Sequence, residues 1–159
     1  MIIADPLIPS KYTRIGHVSS LFILGLAISC FQHNEIYMGF IASSLYITTN
    51  LHWNYVRRKG LIRDLDIIAV KSCFFFSMFA AYKYYYCKRY YLISIINLIG
   101  YFCNERLNYH TIHNPYYLQS TSSEKKHWTY IRACLTHVFF LHISQCINGI
   151  CLMVYSKNT

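Results

Sequence analysis

The chain has 159 residues, enough for one domain. Hydrophobic residues make up 55% of it and charged residues only 13%, against about 25% charged in an ordinary soluble domain, which excludes a fully water-clad surface. The net charge of +9 raises the question of nucleic acid, but the basic residues sit in clusters between apolar runs rather than in a stripe, so no nucleic-acid partner is expected.

A bilayer core of about 30 Å takes roughly 20 helical residues, and five segments come near that length. They run over residues 15–31, 36–52, 66–82, 90–104 and 133–155, with 90–104 the shortest. The first run lacks a small-residue cleavage site and meets the polar Gln32-His33-Asn34-Glu35, so it reads as a retained span. That short polar link predicts a tight antiparallel hairpin of the first two helices. Small residues Gly25, Ala27, Gly39, Ala42 and Ser43 would let the pair approach closely. Pro6, Pro9 and Pro115 all lie outside the apolar runs, which predicts unbroken helices. Residues 105–132 read as one long cytoplasmic loop, with turn signals at Asn114-Pro115 and Ser120-Thr121-Ser122-Ser123. The expected fold is therefore all-α: a polytopic transmembrane bundle of about five helices in a single membrane domain.

Basic residues orient the bundle. Lys11, Arg14, Arg57, Arg58, Lys59, Arg63, Arg106, Lys125, Lys126 and Arg132 collect on one side; Lys83, Lys88, Arg89 and Lys157 collect on the other. This predicts a cytoplasmic N-terminus and an external C-terminus. The cluster Arg57, Arg58, Lys59 and Arg63 is also placed to meet anionic lipid head groups. Tyr84-Tyr85-Tyr86 with Tyr90-Tyr91 reads as an interfacial aromatic belt. The seven cysteines form no CxxC pair and fall mostly in apolar runs, as reduced core residues do.

Ionisable groups at membrane depth are costly and are candidates for function. Here they are His52, Asp66, Lys71, His137 and His142, with Thr48, Asn50 and Gln145 as uncharged polar company. Thr48 and His52 share a helix face. Asp66 would open the third helix on the same side of the membrane, and His137 enters from that side too. His52, Asp66 and His137 are thus expected near one membrane plane, with His142 about 7.5 Å deeper. Two or three imidazoles and a carboxylate suit Zn²⁺ with an open position for water, and the metal would make a hydroxide nucleophile near neutral pH. Each residue also has a structural reading: His52 as an interfacial neighbour of Trp53, Asp66 as a helix N-terminal charge, His137 as an interhelical hydrogen bonder, and Lys71 as a snorkelling cation. His110-x-x-His113 is a further spaced pair, without a cysteine or carboxylate partner.

Thr48-x-x-x-His52, Asp66 and His137 in the second, third and last spans resemble the pattern of the membrane hydrolase superfamily of alkaline ceramidases and progestin and adiponectin receptors. That pattern has Ser-x-x-x-His, then Asp, then His-x-x-x-His. The resemblance implies a metal site of His52, His137 and His142, with Asp66 and Thr48 in catalytic roles. The chain departs from the pattern in three ways. Thr48 stands for Ser, positions 133 and 141 carry no second histidine, and about five spans stand for seven. On a regular α-helix His142 lies about 140° round from His137, off its face.

Three function classes follow. The first is a non-catalytic component or subunit of a membrane assembly; the Ile-, Tyr- and Lys-rich composition fits a viral or organellar source. The second is a metal-dependent lipid amide or ester hydrolase. The third is a bis-histidine haem protein using His52 with His137 or His142.

Overall fold

The computed structural model describes residues 8–54, 56, 60–82, 87–112 and 114–155. Among these the chain is all-helical and contains no strand. Five long helices form: α1 (Ser10–Gln32), α2 (Ile36–Asn54), α3 (Leu61–Ala80), α4 and, after a short α5 (Pro115–Ser120), α6. α4 begins as Lys88–Asn104, passes through a π-helical stretch Glu105–Tyr109 and ends with His110–Ile112. α6 is likewise composite: Ser123–His137, a π-helical stretch Val138–Ser144, then Gln145–Tyr155. The Arg57-Arg58-Lys59 run, Lys83, Tyr84-Tyr85-Tyr86, His113 and Lys157 lie outside the described residues.

The α1–α2 hairpin forms as its short polar link predicts, and it is the most extensive pairing in the fold. α1 ends because Asn34 takes a positive φ of 62°. The turn then closes with Glu35 N–H donating to Cys30 C=O at 2.9 Å and Asn34 N–H to Phe31 C=O at 3.1 Å. This is the left-handed helix stop that asparagine tolerates better than most residues. Ala27 and Ala42 are buried in the hairpin, and Gly39 leaves room for the Phe31 ring, 2.6 Å from where its Cβ would be. Gly25 meets nothing and faces away. The tightest approach is at Gly16, where any Cβ would overlap the Trp53 indole.

Two expectations are corrected. Residues 105–132 are not a loop: the segment is the end of α4, α5 and the first turns of α6. The predicted breaks do fall at Asn114, whose side chain accepts from Tyr116 N–H at 3.0 Å, and at Ser122, which caps α6 by accepting from Lys125 N–H. α3 starts at Leu61 rather than Asp66. Gly60 at φ 145° supplies the entry conformation, and Asp64 rather than Asp66 is the first-turn acid that suits the helix dipole. Asp66 is therefore one turn inside the helix and buried.

α1 packs on both α2 and α6, α2 on α3, and α4 on α6. The apolar core Ile23, Leu26, Ala27, Ala42 and Leu45 with Cys30, Cys73 and Cys146 joins α1, α2, α3 and α6. The cysteines are all free thiols. Among the described residues two helices are long and apolar enough to cross a membrane by length and composition: Ser10–Gln32 and the 32-residue Ser123–Val154.

Candidate functional site

The site is built where α2, α3, α4 and α6 meet. Asp66 Oδ1 accepts hydrogen bonds from Thr49 Oγ1 at 2.8 Å and Thr48 Oγ1 at 3.2 Å. Consecutive threonines on α2 thus clamp one oxygen of a carboxylate on α3. His52, one turn beyond Thr48, lies within electrostatic range of Asp66 and Arg63. It also lies within range of His137 and His142. His52, Asp66 and His137 line one cavity.

His142 corrects the sequence expectation. Residues Val138–Ser144 are π-helical, so the backbone bonds close five residues apart and a residue comes to lie over its fifth neighbour. His137 and His142 share a face, with ring centroids 5.4 Å apart. His142 Nδ1 is hydrogen-bonded to Ser19 Oγ of α1 at 2.7 Å, and Ser19 Oγ also reaches Gly16 C=O at 2.9 Å. The Trp53 ring stands edge-on to both imidazoles, 5.4 Å from His137 and 6.3 Å from His142. Tyr101 and Tyr109 of α4 close the other side of His137. Trp53 Nε1 and His137 Nδ1 are sealed from solvent without a hydrogen-bond partner among the described residues.

Two cavities meet at this cluster. A small one of about 60 Å³ lies deep in the bundle and touches Asp66, Thr49, His137, His142 and Gln145. A larger one of about 450 Å³ lies between α3 and α4 and is bounded by His52, Asp66, His137, Arg63, Tyr101 and Glu105. Thr48 lines neither; its part is to hold Asp66. Lys71 lies at the exposed edge of the larger cavity, and His110 is exposed at the end of α4, away from the cluster.

The zinc arrangement does not fit the residues as they stand. Among the described residues no three His, Cys, Asp or Glu side chains come together closely enough to hold a metal ion. Asp66 Oδ1 is committed to two hydroxyls and His142 Nδ1 to Ser19, so two of the candidate ligands are fastened to neighbouring helices.

A second polar set, not anticipated from the sequence, joins α4 to α6. Asn97 Nδ2 donates to Gln145 Oε1 at 2.9 Å, and Ser144 Oγ donates to Asn97 Oδ1 at 2.8 Å. Gln145 Nε2 reaches Tyr90 Oη and Ser94 Oγ, and Asn148 Nδ2 reaches Tyr90 C=O and Ser94 Oγ. Asn104 Nδ2 donates to Ala133 C=O at 3.0 Å, and Asn108 in turn to Asn104. The signal was present in the spacing: Ser94, Asn97, Asn104 and Asn108 recur at helical intervals along one stripe. Thr49 was equally legible as the neighbour of Thr48.

Neither a protein-family model, nor a curated protein, nor a solved structure matches this chain.

Proposed function

We infer that the protein is a small multi-pass integral membrane protein acting as a non-catalytic component of a membrane assembly, its five long helices crossing the bilayer. The observation that carries this reading is the inverted distribution of polarity. Large apolar side chains are exposed on every long helix: Val18 and Leu21, Phe40 and Ile47, Ile68 and Phe75, Ile95 and Ile99, Phe139 and Ile147. Soluble monomers rarely expose contiguous apolar patches of more than a few hundred Å². The buried side, by contrast, is stocked with Ser20, Thr49, Asp66, Ser94, Asn97, Asn104, His142 and Asn148. Polar side chains bonded helix to helix and small residues at contacts are how helices associate in lipid, where apolar burial supplies no drive.

α2 and α4 carry part of this inner polar set, and α3 carries Asp66 in it besides the exposed Asp64 and Lys71. α6 at 1.5 Å per residue is about 48 Å long, so its first turns, with Lys125 and Lys126, would stand beyond the hydrocarbon. Lys11, Arg14 and Arg63 belong to the same end, since Tyr12 Oη bonds His127 Nδ1 at 2.6 Å and Arg63 faces Glu105. That end would lie in the cytoplasm against anionic head groups. Alkaline carbonate extraction of membranes expressing the full chain tests the reading. The protein should stay wholly in the pellet; release into the supernatant would sink it.

One observation favours a second reading, a lipid amide or ester hydrolase similar to alkaline ceramidases. His52, Asp66 and His137 border one cleft, His142 lines the smaller cavity beside it, and the π-helical stretch supplies the shared histidine face that the sequence spacing denied. Turnover of an N-acyl amide or acyl ester by the purified protein, lost in Asp66→Asn, would establish it. The non-catalytic reading expects no turnover above background and a loss of stability in His52→Ala.

A further inference from the structure

α3 and α4 follow one another in the chain, yet each leans on a different partner, α3 on α2 and α4 on α6. The space between them is the cavity of about 450 Å³, within the range of small-ligand sites, about 300–1,000 Å³. Its walls are apolar: Ile67, Val70 and Phe74 from α3, Leu98 and Phe102 from α4. Phe102 is 58% exposed, so the cleft opens sideways onto the face that the reading above gives to lipid.

Its inner end is polar and has hydrogen-bonding capacity to spare. Asp66 Oδ1 takes both threonine hydroxyls, while Oδ2 takes no hydrogen bond from a described residue. The His52 ring likewise makes no hydrogen bond among the described residues and borders the cavity. Both residues line this cleft, and an imidazole with a carboxylate oxygen suits a group that can donate to one and exchange a hydrogen bond with the other, which a hydroxyl does. Among the described residues that line the cleft, two cations, Arg63 and Lys71, are balanced by two carboxylates, Asp66 and Glu105, so a charged head group gains no net partner from them. A volume near the low end of ligand sites admits one acyl chain rather than two.

We propose that the cleft between α3 and α4 binds a single-chain lipid with an uncharged hydroxyl head group, the chain along Val70, Phe74, Leu98 and Phe102 and the hydroxyl between Asp66 and His52. The proposal rests on the bilayer reading, because the lipid enters laterally. It requires binding only, and no reaction.

The test uses the full chain in phosphatidylcholine nanodiscs with a monoacylglycerol carrying a photoactivatable diazirine in its chain. Adducts should concentrate on the cleft-facing residues of α3 and α4 and be displaced by unlabelled monoacylglycerol. Val70→Trp and Leu98→Trp fill the cleft from opposite walls, and each should cut labelling at least about tenfold while the thermal transition is kept. Asp66→Asn keeps an acceptor for the threonines but replaces the free acceptor oxygen with a donor, and should weaken binding about tenfold. Adducts spread evenly over outward residues of α1 and α2 such as Val18 and Phe40, or labelling of the wild type that unlabelled monoacylglycerol does not displace, would overturn the proposal. Equal labelling by the corresponding fatty acid would overturn the uncharged head group. Carbonate extraction, run on the same preparation, separates these outcomes from failure of the bilayer reading.

Discussion

Trp53 joins α2 to both α1 and α6. Its side chain is fully buried, lies flat over Gly16 and stands edge-on to His137 and His142. Gly16→Ala puts a methyl into the indole, and overpacking of this kind costs about 1–3 kcal/mol. Gly25, with open space round it, is the control: Gly25→Ala should move stability by no more than about 0.5 kcal/mol. Thermal unfolding in detergent measures both, and equal effects would mean that the α1–α2 approach is not as close as described. Asp66 makes a second residue-scale case. Asp66→Ala strands the buried Thr49 hydroxyl, at a cost of about 1–3 kcal/mol, while Thr48 keeps the Leu45 carbonyl at 3.2 Å. Asp66→Asn retains an oxygen for both threonines and should lose clearly less. The same denaturation series checks the order of the two variants.

At the scale of elements, the π-helical stretch of α6 decides which faces meet. Such stretches behave as extra residues accommodated inside an α-helix and are frequent at functional sites. Removing one residue from Val138–Ser144 should therefore let the helix relax to regular α geometry with the faces on either side kept in register. Deletion of the exposed Phe139 should preserve the Gln145 and Asn148 bonds to α4 and lower the melting temperature by only a few degrees. Deletion of the equally exposed Leu135, in the regular α-helical part, turns everything on one side of it by about 100°. It should prevent folding. Helical circular dichroism and thermal scans of the two deletions decide the point; equal damage would contradict this account of the π stretch.

For the whole molecule, the proposed topology makes a directional prediction. Five crossings place the N-terminus in the cytoplasm and the C-terminus outside, so a reporter fused after Thr159 should read external and one fused before Met1 cytoplasmic. A cytoplasmic reading at both ends would require an even number of crossings. The segment to re-examine would then be α4, which carries an inner stripe of Ser94, Asn97 and Asn104 and the shortest apolar run. The α4–α6 bonds argue for its insertion, because they satisfy those groups inside the bundle rather than against lipid.

What the sequence determined by itself was periodic and local. Charge depletion, apolar runs of bilayer length and a four-residue polar link specify helices and a hairpin, because helix formation and antiparallel return depend on neighbours in the chain. The pairing of Thr48 with His52 on one face followed from helical geometry alone. The tertiary structure decided what depends on distant partners. Residues 105–132 carry turn signals and charge, yet most of them are helical because Asn104, Tyr109 and Ile112 pack and bond against α6 and its neighbours. The shared face of His137 and His142 comes from a π stretch, a backbone register that regular 3.6-residue periodicity does not report. The cleft between α3 and α4 exists because each helix finds a better partner elsewhere, a comparison of packing energies across the bundle that no single segment contains.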